Sequence, residues 1–99
     1  MPVYSVAQLT IHDRATYQRY QDRFMSVFAR YKGRVLAADE HPLVFEGTWD
    51  REKIVILSFP DEPTFREWAD SPAYQEIAKD RKAASTAVIL LVKGLPTPS

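Results

Sequence analysis

The chain has 99 residues with a formal net charge of zero, 13 Lys plus Arg against 13 Asp plus Glu; 45% of it is hydrophobic and 12% aromatic, and it contains no cysteine. That length holds one domain with one core, and the balanced charge gives no pull toward nucleic acid or an anionic membrane surface. The missing cysteine removes disulfides, thiolate nucleophiles and every Cys-based zinc or iron–sulfur site.

The chain opens on Met1-Pro2-Val3-Tyr4-Ser5, with no basic stretch leading into an apolar one. No apolar run approaches the ~18 residues that span a bilayer, so a cytoplasmic protein without a membrane partner is expected. Val3 to Ile11 mixes β-branched and aromatic residues with small polar ones near alternation and reads as the first strand. Asp13 offers an N-cap, and Tyr17, Tyr20, Phe24, Val27, Phe28 and Tyr31 follow at spacings of three and four, which predicts a helix with one apolar face. Gly33 comes where a left-handed residue would close that helix.

Arg34 to Asp39 and Leu43 to Thr48 both read as strand, either one bent strand or a small hairpin, interrupted at His41-Pro42. After the polar turn Asp50-Arg51-Glu52, Lys53 to Phe59 is a strongly apolar strand ended by Pro60, with neighbours expected on both sides. Asp61 caps a short helix carrying Phe65, Trp68 and Ala69; Ser71-Pro72 restarts the helix, placing Tyr74, Ile77, Ala78, Arg81 and Ala84 on one face. Ala87 to Lys93 is the last strand. Residues 1–95 form the expected domain and 96–99 an expected mobile tail.

The order strand, helix, strand, strand, helix, strand packs most simply as helices on one face of an antiparallel sheet. Yet Ile54 to Leu57 and Val88 to Val92 put large apolar groups on both faces of their strands. A monomer rarely exposes an apolar patch beyond a few hundred Å², so a second copy of the sheet is expected to cover the free face as a homodimer.

Tyr31-Lys32-Gly33-Arg34, Phe45-Glu46-Gly47-Thr48-Trp49, Val55 to Pro60, and Trp68-Ala69-Asp70-Ser71-Pro72-Ala73-Tyr74-Gln75 followed by Arg81 together resemble the domain of unknown function 1330 family. The resemblance covers almost the whole chain and is most specific in the Trp-x-x-Ser-Pro-x-Tyr-Gln stretch. It implies an α+β, ferredoxin-like two-layer sandwich that dimerises through the sheet as a dimeric α/β barrel. The superfamily includes cofactor-free monooxygenases, small isomerases and haem-binding members, so the resemblance implies no single activity. Lys32 stands where a second glycine is common, and Ala38-Asp39-Glu40 where glycine-rich residues are common, which puts the shape and charge of the loop near Asp39 in doubt.

Arg81 carries a permanent charge on the apolar side of its helix and needs a partner. One reading is a structural ion pair to Glu46, expected in a strand; the other is a cleft between sheet and helices in which Arg81 holds a substrate carboxylate. Unpaired in such a strand, Glu46 would have a raised pKa and serve as general acid or base. Trp68 and Tyr74, flanking the Ser71-Pro72 corner, are either core filler or the walls of a ligand pocket. Ser71 is explained by capping alone. His12, at the end of the first strand, is a candidate for haem binding or proton shuttling, or else a solvated residue; a metal site joining it to His41 has no supporting motif.

The third long strand lacks the aromatic-glycine-aromatic pattern of RNA-recognition domains, and there is no glycine-rich phosphate loop, so neither nucleic acid nor a nucleotide cofactor is indicated. No cofactor is called for. Three functions remain: a homodimeric domain binding or converting a small organic acid between sheet and helices; a non-catalytic dimerisation module with an occluded core; and a haem or metal binder at His12.

Overall fold

Alternation along Val3–Ile11 lets one strand bury a single side, and Val3, Ser5, Leu9 and Ile11 are buried while the residues between them are only partly covered. In the computed structural model, which describes residues 1–96, this strand (β1) is followed by α1 (Arg14–Phe28), β2 (Arg34–Asp39), β3 (Lys53–Phe59), α2 (Glu62–Ala69), α3 (Pro72–Ala84) and β4 (Ser85–Lys93). The tail expected from residue 96 lies, beyond Pro96, outside the described residues. No helix among the described residues is long and apolar enough to cross a membrane.

The four strands form one sheet in the order β2-β3-β1-β4, antiparallel at every junction. β1 and β3 are central, as the apolar run of β3 demands. β4 starts two residues earlier than its apolar run, because Thr86 and Ser85 continue the register against Thr10 and Ile11. The helices cover the face that carries Val3, Leu9, Leu57 and Phe59, and the core lies between them and those residues.

Each helix begins where a side chain can satisfy its free N–H groups. Asp13 accepts from Thr16 N at 3.1 Å, Asp61 from Thr64 N at 2.8 Å, and Ser71 Oγ from Tyr74 N at 3.1 Å. α1 and α3 are then clipped together by Asp80, which receives Arg19 and Arg23 at 3.1 Å each.

Two expectations are corrected. Leu43–Thr48 is not a strand: β2 ends its pairing with β3 at Asp39↔Ile54, so no strand edge lies beside residues 43–48. They run through a long connection in which Leu43 and Phe45 are 90% and 94% exposed and Gly47 takes φ +90°. The irregularity in β2 is a bulge at Leu36, not a break at Pro42. Gly33 is the second correction. It does not adopt the left-handed conformation; α1 closes at Ala29 in right-handed geometry, and a Cβ on Gly33 would stand 2.5 Å from the rings of Phe28 and Phe59. Close packing, not backbone freedom, requires glycine there.

The other face of the sheet is bare. The register sets Ile56, Val6 and Leu90 in one row, Ile54 and Val88 on either side of Gln8, and Tyr4 beside Val92. Val88, Leu90 and Val92 are exposed. From the long connection, Trp49 reaches back to donate its indole N–H to Gln8 Oε1 at 3.0 Å, covering one corner.

Candidate functional site

The floor of the space between sheet and helices is made of small residues at its middle. Ser5 and Ala7 of β1 lie between Val3 and Leu9, and Val55 lies beside Ala7 on β3. Larger side chains there would meet the helices; these do not, and a cavity of about 530 Å³ remains. That volume suits a small organic ligand.

The roof is aromatic. Tyr17, Tyr20 and Phe24 project from successive turns of α1, Phe65 and Trp68 from α2, and Tyr74 and Arg81 from α3. The Ser71-Pro72 corner sets this edge: Ser71 Oγ donates to Trp68 O at 2.7 Å while capping Tyr74 N, so the end of α2 and the start of α3 hold Trp68 and Tyr74 with ring centroids 4.2 Å apart. Trp68 also stacks on Phe59 at 5.5 Å and meets Phe28 edge-on at 5.2 Å. It is core and cavity wall at once.

Three of the polar residues lining the cavity, Lys53, Trp68 and Arg81, can only donate. Tyr20 and Tyr74 share a hydroxyl–hydroxyl bond of 3.0 Å. Burial pushes the Tyr17 hydroxyl up to about 12, with the charge of Arg81 working against it, and burial with the neighbouring Tyr74 raises Tyr20 well above the phenolic range. Both remain protonated at neutral pH. Arg81 Nε and Trp68 Nε1 are buried without any hydrogen-bond partner, and both residues line the cavity.

Of the residues singled out from the sequence, Arg81, Trp68 and Tyr74 come together here. Glu46 does not: it is exposed in the 40–52 connection and makes no ion pair with Arg81. The strand that was to carry it does not form. His12 is exposed beyond the end of β1, outside the cavity, its backbone N–H bound to Ala84 O at 2.9 Å. Among the described residues, no three His, Asp or Glu side chains converge as a metal site.

Sequence inspection missed Lys53. It reads as the polar start of β3, but its pairing with Leu9 turns it toward the helices, where only 5% of it is exposed. Burial lowers its pKa. The strict alternation Lys53, Val55, Leu57, Phe59 contained the signal.

The family model for the domain of unknown function DUF1330 matches residues 2–95. The chain belongs to the DUF1330 family. Among solved structures, this DUF1330 chain resembles the RPA0582 protein of unknown function from Rhodopseudomonas palustris, with TM-score 0.80 and 21% identity, over 97% of this chain and 84% of that one. It resembles SnoaB, a cofactor-independent oxygenase from Streptomyces nogalater, with TM-score 0.69 and 24% identity, over 97% and 95%. A Dabb-family protein with a ferredoxin-like fold from Mesorhizobium loti matches with TM-score 0.69 and 13% identity, over 96% and 98%. These likenesses establish the ferredoxin-like fold. No curated protein matches the sequence.

Proposed function

We propose that this DUF1330 protein is a homodimer in which each subunit binds a small apolar organic acid in the cavity between sheet and helices. Arg81 anchors the acid, and Trp68 and Tyr74 wall its apolar body. The observation that carries the reading is the buried, unpartnered Nε of Arg81, a residue that lines an aromatic cavity. A buried guanidinium N–H left unbonded is costly, and a carboxylate satisfies it with a charge-assisted bond. The indole N–H of Trp68, equally unpartnered, supplies a second donor. An occluded dimerisation module would have no such space, so the cavity favours ligand binding over that alternative.

The bare row Ile56, Val6 and Leu90 supports the dimer, because a second sheet laid face to face removes it from water. The oxygenase among proteins of this fold supports conversion as well as binding; the bound acid is therefore also assayed for oxygen consumption. Native mass spectrometry of freshly purified protein is expected to show the dimer with retained small-molecule mass. In calorimetric titration with benzoate, Arg81→Met is expected to lose at least tenfold in affinity, about 1.4 kcal/mol, without a fall in melting temperature. Unchanged affinity with a sharply lower melting temperature would make Arg81 a structural residue and overturn the reading.

A further inference from the structure

Lys53 places a second positive charge in the same cavity, from the floor rather than the roof. It is the only charged residue on β3, and it stands on the covered side, where packing alone selects Val or Ile. Its ammonium lies 4.8 Å from the centroid of the Tyr17 ring and 3.5 Å from Gln21 Oε1, the second a marginal contact. Among the described residues it belongs to no ion pair. Glu40, whose charge reaches it, is held by Arg14 at 3.5 Å, and Arg14 also holds Glu52 at 3.1 Å.

Tyr17 connects the two cations: Lys53 sits over its ring, and the charge of Arg81 acts on its hydroxyl. The carboxylate in the lining, Asp70, is exposed at the C-cap of α2 and pairs with neither. One buried cation, Lys53, and one partly buried cation, Arg81, thus face one aromatic cavity with no buried carboxylate between them. Desolvated charges in this arrangement require a counter-charge.

We propose that the cavity takes a small aromatic dianion, one acidic group on Arg81 and the other on Lys53, with the ring among Tyr17, Trp68 and Tyr74. This rests on the reading that Arg81 anchors an acid, and it adds the second anchor and the charge of the ligand. A monocarboxylate fills only half of the site.

The test is calorimetric titration of the full chain with benzoate and with benzene-1,2-, 1,3- and 1,4-dicarboxylate. At least one dicarboxylate is expected to bind the wild type ten times more tightly than benzoate. Lys53→Met is expected to reduce that preference below threefold, and Lys53→Arg to restore part of it. If benzoate binds but no dicarboxylate is preferred by the wild type, or the preference survives Lys53→Met, the second anchor is wrong and the Arg81 site stands. If none of the four binds, both readings fall. The wild-type comparison decides the matter even where a Lys53 variant fails to fold.

Discussion

The two faces of the sheet are built by the same strands and have opposite needs. On the helix side, β1 and β3 present Leu9, Leu57 and Phe59 to three helices, and what remains unsatisfied is polar: the Arg81 Nε and Trp68 Nε1 N–H groups, with the Lys53 ammonium in no ion pair among the described residues. On the other side nothing polar is buried, and what remains unsatisfied is apolar: the Ile56–Val6–Leu90 row and its neighbours. On the proposed reading one face takes a charged small molecule and the other a second sheet. The difference shows that alternation alone, with β-branched residues at both parities, can give a strand two faces of different character.

Charging the bare face should break this comparison most severely. Leu90→Arg puts a guanidinium at the β4 end of the row, and the proposed dimer is expected to weaken by more than a hundredfold, read as monomer mass by light scattering at micromolar concentration. A chain that remains dimeric would show that the sheet face is not the interface. Next in size is Gly33→Ala, which acts on the helix side only. Its Cβ would lie 2.5 Å from two fully packed rings, so a loss of about 1–3 kcal/mol in denaturant unfolding is expected. A neutral result would mean that Phe28 and Phe59 can move apart, and the core behind Trp68 would then be softer than its packing indicates.

The smallest effect concerns the clip between α1 and α3. Hydrogen bonding to Arg19 and the charges of Arg19 and Arg23 hold the Asp80 carboxyl below its usual value of 3.8. A folded pKa lower than the unfolded one contributes stability above the unfolded value, and the contribution is lost as pH falls through the folded value. The melting temperature should therefore decline as pH drops below about 4, and the decline should be shallower in Asp80→Asn. Equal slopes for the two proteins would show the clip to be energetically idle, in keeping with the small worth of exposed ion pairs.

Much of this was legible in local pattern. The three-and-four spacing of Tyr17, Tyr20, Phe24 and Phe28 marked α1, Ser71-Pro72 marked the start of α3, and Arg81 on the apolar side of that helix pointed to the cavity. Leu43–Thr48 misled because an apolar run has strand character only beside another strand, and β3 begins too late to supply one. Glu46 lost its pairing with Arg81 for the same reason. Gly33 was placed correctly at the end of the helical pattern, but its cause is a contact with Phe59, 26 residues away.

The sequence by itself determined the element order, the capping residues and the two-faced character of β3 and β4, since each depends on the periodicity of neighbouring residues or on a side chain reaching its own backbone. Only the tertiary structure decided that Lys53 is buried beside Tyr17 and that two donors, on residues lining the same cavity, have no partner. Both depend on strand register and on how closely helices approach small residues such as Ser5 and Ala7, and neither distance is written in local order.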